Sequence, residues 1–167
     1  MVSEIIEFDP MDYLPDGPLT KGEQVFLENL EKCTVIHEVN SKRFQKNIIS
    51  TLRALEHQPF AREMQELFRK NNELGPRLST WATKIAEEQW IPSERELKQA
   101  GELSLTISGI CSRIYYLYSD NWNIIHAEEG FPDQTTTIIK VEQNILDFQH
   151  YINTFLSFAD DEEIPLF

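Results

Sequence analysis

The chain has 167 residues, of which 41% are apolar, and it carries a formal net charge of -13 with a pI of about 4.7. This length and apolar content describe one globular domain with a single sizeable core and argue against a disordered chain. The charge repels anionic membrane and speeds encounter with basic partners, and no Lys/Arg stripe exists to neutralise the phosphates of double-stranded nucleic acid.

Residues 1–19 hold Pro10, Pro15, Gly17 and Pro18 among scattered acids. Proline denies the backbone a donor and a helical continuation, so an extended arm is expected here. Its Ile5, Ile6, Phe8, Met11, Tyr13 and Leu14 can still pack on a core. Glu4, Glu7 and Asp9 stand where a secretory signal needs basic residues, and no stretch approaches the roughly 20 apolar residues that cross a bilayer. The expected location is the cytoplasm.

From 20 to 159 apolar residues recur at helical spacing. Thr20 with Glu23 forms a capping box that opens the first helix. Its stripe is Phe26, Leu30, Cys33, His37, Phe44, Ile48, Leu52 and Leu55, and it turns polar at Asn40 and Ser41, where the pattern admits a bend or break. The helix stops near His57, before Pro59. A second stretch, from about Pro59 to Trp90, carries Phe60, Met64, Leu67, Leu74, Leu78, Trp81 and Ile85 in one register. That register passes through Gly75 and Pro76, which predicts a kinked helix or two helices nearly in line. Ser93 and Glu96 form a second capping box, followed by Leu97, Ala100, Leu103, Ile107, Ile110, Ile114 and Leu117. Gly101, Ser104, Ser108 and Ser112 make a flank of small residues suited to tight packing inside the bundle. After a loop from Asn121 to about Thr135, the last helix shows Ile138, Val141, Ile145, Phe148, Ile152 and Phe155. Period-two alternation is absent, so no sheet is expected. The fold class is all-α: four main helical stretches in an up-down-up-down bundle, with an extended arm (1–19) and an acidic tail (160–167).

Catalytic templates fail on spacing. A di-metal carboxylate bundle needs Glu-x-x-His on two helices; the near match is Asp147 with His150, and His150 points away from the Phe148 face. Helical nucleotide pyrophosphohydrolases hold magnesium with Glu-x-x-Glu followed one helix later by Glu-x-x-Asp. Glu28 with Glu31, and Glu63 with Glu66, supply the first pair, but no Asp in the chain has a Glu three residues before it. Helical ribonucleases of some defence systems separate an Arg and a His by four to six residues; Arg53 and His57 fall short of that. His126, Glu128 and Glu129 share a loop without ligand spacing. No cofactor, metal or catalytic residue is assigned. Cys33 and Cys111 have the pattern of small buried hydrophobes. His37 replaces an apolar residue on the core stripe, as a core histidine or as a buried functional one.

The tail runs Asp160, Asp161, Glu162, Glu163, Ile164, Pro165, Leu166, Phe167. It resembles the tail of bacterial single-stranded-DNA-binding proteins, where acids precede Ile-Pro-Phe; here Leu166 is inserted before the last Phe. The final five residues also resemble the sliding-clamp pentapeptide, with Glu163 in place of its Gln. The resemblance implies a docking peptide in which Ile164, Pro165, Leu166 and Phe167 are the anchor; folding back on the bundle is the other outcome. Tyr115, Tyr116 and Tyr118, followed by Trp122, crowd the end of the third helix. Ile114 and Leu117 take the core direction, so Tyr116 faces outward and, with Trp122, is a candidate partner anchor.

The sequence is therefore read as a non-enzymatic acidic bundle that binds a basic protein partner, as an inhibitor, immunity protein or adaptor. The alternatives are an accessory of DNA metabolism docking through its tail, and an enzyme with a site, metal-dependent or not, between helices. The oligomeric state stays open.

Overall fold

The computed structural model describes residues 19–127 and 133–159. In chain order these form α1 (Lys21–Ala54), α2 (Pro59–Glu88), α3 (Glu94–Asp120), the short α4 (Trp122–His126) and α5 (Thr135–Ala159). No strand occurs among the described residues. The four long helices hold 34, 30, 27 and 25 residues, about 38 to 51 Å each. Contacts run α1 to α2, α2 to α3, α3 to α5 and α5 back to α1, which closes a four-helix bundle. The cross-helix pairs fix the directions. Ser41 meets Asn71 while Leu52 meets Gln65, and Gly101 faces Ile152 while Ser112 meets Glu142. Neighbours are antiparallel throughout, giving the up-down-up-down order that short loops favour.

Local chemistry sets the helix starts. At Thr20 the side chain accepts from the Glu23 N–H at 3.1 Å, and Glu23 Oε1 accepts from the Thr20 N–H at 2.8 Å, so two orphan donors are satisfied reciprocally. At α3 the expected box is built differently. Ser93 Oγ accepts the Glu96 N–H at 3.2 Å, but the Glu96 carboxylate is buried and accepts from Trp81 Nε1 at 3.4 Å. Trp81 on α2 brings a buried indole donor to this point, and an indole N–H in a core needs an acceptor. Helix α2 ends at Gln89, which takes a left-handed conformation (φ 59°, ψ 44°).

The core is one cluster drawn from every helix. Phe26 stacks on Phe155 with centroids 4.2 Å apart, Phe44 meets Tyr118 edge-on at 5.6 Å, and Trp81 meets Phe148 at 6.5 Å. The small flank of α3 packs on α5: a Cβ at Gly101 would touch Ile152 Cγ2 at 3.7 Å, and Ser104 and Ser108 are buried.

Three expectations change. Helix α1 runs unbroken through Asn40 and Ser41, because both side chains find partners across the bundle and need no exit to water. Helix α2 is one helix with Pro76 inside it, within the two outcomes expected for this stretch; packed residues on both sides, from Phe60 to Phe68 and from Leu78 to Ile85, hold its halves in one register. Its buried face is also turned slightly. Phe68, Asn71 and Gly75 are buried, whereas Leu67 and Leu74 are only half-buried. The segment after α3 is not all loop, since Trp122–His126 forms α4 and buries Ile125.

Candidate functional site

Two places concentrate polar or exposed apolar groups in unexpected positions: a polar seam inside the bundle and the outer face of α3 and α5.

The seam lies where the α1 stripe turns polar. His37 is only 2% exposed, and its Nδ1 stands 3.1 Å from the Val141 carbonyl of α5. A carbonyl only accepts, so Nδ1 carries the proton and Nε2 keeps the lone pair of the neutral ring. Burial pushes the His37 pKa below its ordinary value; the bond to Val141, the nearby Asn71 amide and the Glu38 charge oppose this more weakly. One turn on, Asn40 Nδ2 donates to Asn144 Oδ1 at 3.1 Å, and Asn71 Nδ2 donates to Ser41 Oγ at 2.6 Å. Ser79 donates to Glu38, and Asn72 Nδ2 donates to Gln45 Oε1 at 2.9 Å. These bonds tie α1 to α2 and to α5 at mid-height.

The two thiols are inert by the same physics. Burial raises the Cys33 pKa to about 11 and that of Cys111 to about 12, so neither is a thiolate near neutrality.

On the outer face, Tyr116 is 59% exposed and Leu105 is 65% exposed. Eleven residues apart, they point within about 20° of one another. Ser112, between them, bonds Glu142 of α5 at 3.3 Å, which places this side of α3 toward α5. Ile139 (49% exposed) and Leu146 (39%) flank Glu142 on α5. The four therefore border the same seam from its two sides. Trp122, 41% exposed, stacks on His126 with ring centroids 3.9 Å apart.

The tyrosines divide. Tyr116 is outward, Tyr115 is half-buried with its ring 5.9 Å from that of Tyr116, and Tyr118 is buried. The Tyr118 hydroxyl accepts the Gln134 N–H at 2.8 Å and faces Asp133 Oδ1 at 3.2 Å and His126 Nε2 at 3.0 Å. Burial raises its pKa. Asp133 also accepts the Thr135 N–H and hydroxyl, which holds its carboxyl below the usual range. Tyr118 is thus a structural anchor between α3 and the start of α5, a role its neighbours in sequence do not reveal.

The Glu63/Glu66 pair is engaged by arginines. Glu63 accepts two bonds from Arg113 of α3, at 2.7 and 3.0 Å, and Glu66 accepts from Arg69. Asp147 accepts from Gln143, and His150 is exposed. Among the described residues no group of three or more His, Cys, Asp and Glu side chains converges as a metal site. No helix among them is long and apolar enough to cross a membrane. Glu128, Glu129 and the tail residues Ile164, Pro165, Leu166 and Phe167 lie outside the described residues.

Fold and surface together define an acidic all-α four-helix bundle. Comparison with family models, with curated proteins and with solved structures finds no match to this chain.

Proposed function

We propose that this protein is a non-enzymatic interaction module that binds a basic protein partner, in the manner of an inhibitor, immunity protein or adaptor. The observation that carries the reading is the exposed apolar strip along α3 and α5, with Tyr116 as its aromatic member, on a molecule of net charge -13. Exposed aromatics surrounded by polar groups are favoured anchors, and a field of one sign steers a partner of the other.

The test is affinity capture from native-host lysate with the full chain and with Tyr116→Ala, read by mass spectrometry, followed by association kinetics at rising salt with the captured partner. The reading expects a basic partner lost or weakened by Tyr116→Ala and an association rate that falls steeply with salt. A partner held equally by both chains, associating at a salt-independent rate, counts against it.

A second reading keeps the tail as the docking element of a DNA-metabolism accessory, on the strength of its acids followed by Ile164-Pro165-Leu166-Phe167. A chain ending at Glu163, run in the same capture, separates the two. Loss of the partner only on that truncation places the contact on the tail and not on Tyr116.

A further inference from the structure

The seam between α1 and α2 opens at one level. A cavity of about 290 Å³ lies there beside Gly75 and Pro76. His37, Ser41 and Asn71, all buried, form its floor, and Glu38, Gln45 and Asn72 form its walls nearer to solvent. Its volume is near the lower end of the range for small-ligand sites.

The local sequence is unfavourable for a plain helix–helix contact. Gly75 is buried, yet a Cβ added there would meet no atom within 4 Å. A helical glycine commonly admits a second backbone at close range. Here nothing approaches, and the missing side chain leaves open space. Pro76 has no N–H, so the Asn72 carbonyl one turn earlier loses its helical donor. Both residues disfavour a helix interior, and the glycine is not offset by packing. Breaches of local rules without a compensating contact concentrate at functional positions.

The groups around the opening are weighted toward acceptors. Glu38 contributes a carboxylate, one oxygen of which also accepts from Ser79, and Gln45 contributes an amide oxygen. Asn71 and Asn72 each direct one amide N–H inside the cluster, to Ser41 and to Gln45. Beneath the floor the His37 Nε2 lone pair, sealed from water and without a hydrogen-bond partner, adds negative potential. Lys42 is the cation of the lining, and its side chain is exposed to water at the mouth. The net charge of -13 further raises the local concentration of cations.

We propose that this cavity binds the guanidinium or primary ammonium head of a small cation, with the Glu38 carboxylate accepting its N–H groups. The site lies between α1 and α2, is independent of the α3–α5 strip, and stands whether or not the partner reading above holds.

The test is a titration of isotope-labelled full-length protein with methylguanidinium chloride and with propylammonium chloride, followed by NMR. Sodium acetate and sodium chloride at matched ionic strength are the controls. Saturable shifts are expected at the side-chain amides of Gln45, Asn71 and Asn72 and at the His37 ring, with a millimolar constant suited to so few heavy atoms. Glu38→Gln should weaken binding about tenfold or more, because a charge-assisted bond becomes a neutral one. Gly75→Leu should abolish the shifts by filling the opening while improving local helix propensity. Shifts that never saturate, that acetate reproduces, or that persist unchanged in folded Glu38→Gln or Gly75→Leu protein would overturn the proposal.

Discussion

Asn71, in the middle of α2, donates its side-chain amide to Ser41 Oγ, in the middle of α1, at 2.6 Å, and both side chains are buried. Cys111 Sγ of α3 lies 4.0 Å from the other end of the same amide. One asparagine thus joins three helices at the level where the α1 stripe turns polar. Such a contact matters less for its own energy than for what its removal leaves behind. A buried donor without a partner loses its water and receives nothing in exchange.

Ser41→Ala should therefore destabilise the fold by about 1–3 kcal/mol, the cost of leaving the Asn71 N–H unsatisfied. The double variant Ser41→Ala/Asn71→Leu should recover part of that loss, since it removes both polar partners together. Urea midpoints of the four proteins in the cycle measure the coupling. Additive losses would show that the bond contributes nothing specific.

Gly75→Ala should stabilise the protein. The added Cβ meets no atom within 4 Å, so no steric cost opposes the gain in helix propensity. That gain is about 1 kcal/mol, or a rise of about 2–4 °C in Tm for a chain of this size. A thermal melt followed by circular dichroism checks it. A fall in Tm would mean that the glycine meets a need of the backbone itself.

His37 makes stability depend on pH. Its folded pKa lies below the ordinary value, chiefly because burial disfavours the charged ring. The unfolded chain then binds the proton more readily than the fold does. The stabilisation is fully present above the unfolded pKa, about 6.5, and is lost as pH falls from there toward the folded value. The urea midpoint should accordingly drop between about pH 7.5 and 5.5. His37→Asn, which keeps a donor near the Val141 carbonyl, should flatten that slope. Glu63 and Asp133, whose carboxyls are held low by Arg113 and Thr135, lose their contributions only at more acid pH. An unchanged slope in His37→Asn would place the titration elsewhere.

Tyr118→Phe should loosen the start of α5. The phenol oxygen accepts the buried Gln134 N–H at 2.8 Å, and phenylalanine offers no replacement. The expected loss is about 1–3 kcal/mol. Amide hydrogen exchange should accelerate at Gln134 while the middle of α2 stays protected. Unchanged exchange at Gln134 would show that the hydroxyl is not its anchor.

Helix α5 was legible almost in full, because its stripe from Ile138 to Phe155 depends only on spacing, and every stripe residue is buried. The outward direction of Tyr116 follows from the same rule applied to Ile114 and Leu117. Asn40 and Ser41 show where that rule stops. A polar residue on a core face suggests a break only if it has no partner, and Asn144 lies 104 residues beyond Asn40 while Asn71 lies 30 residues beyond Ser41. Glu96 fits a capping box by sequence, yet it turns inward because Trp81 presents an indole N–H. Tyr118 reads like its neighbours until the residues after α4 bring Asp133 and Gln134 beneath its hydroxyl.

Period, caps and charge are properties of short segments, and the sequence by itself determined those: four long helices, their starts at Thr20 and Ser93, and an acidic surface. Which polar side chains meet, and which apolar ones stay uncovered, depends on helices distant in the chain coming side by side. Tertiary packing alone decided the seam around His37 and Asn71, the opening at Gly75 and the strip shared by Tyr116 and Leu146, because each is made of residues whose partners lie on another helix.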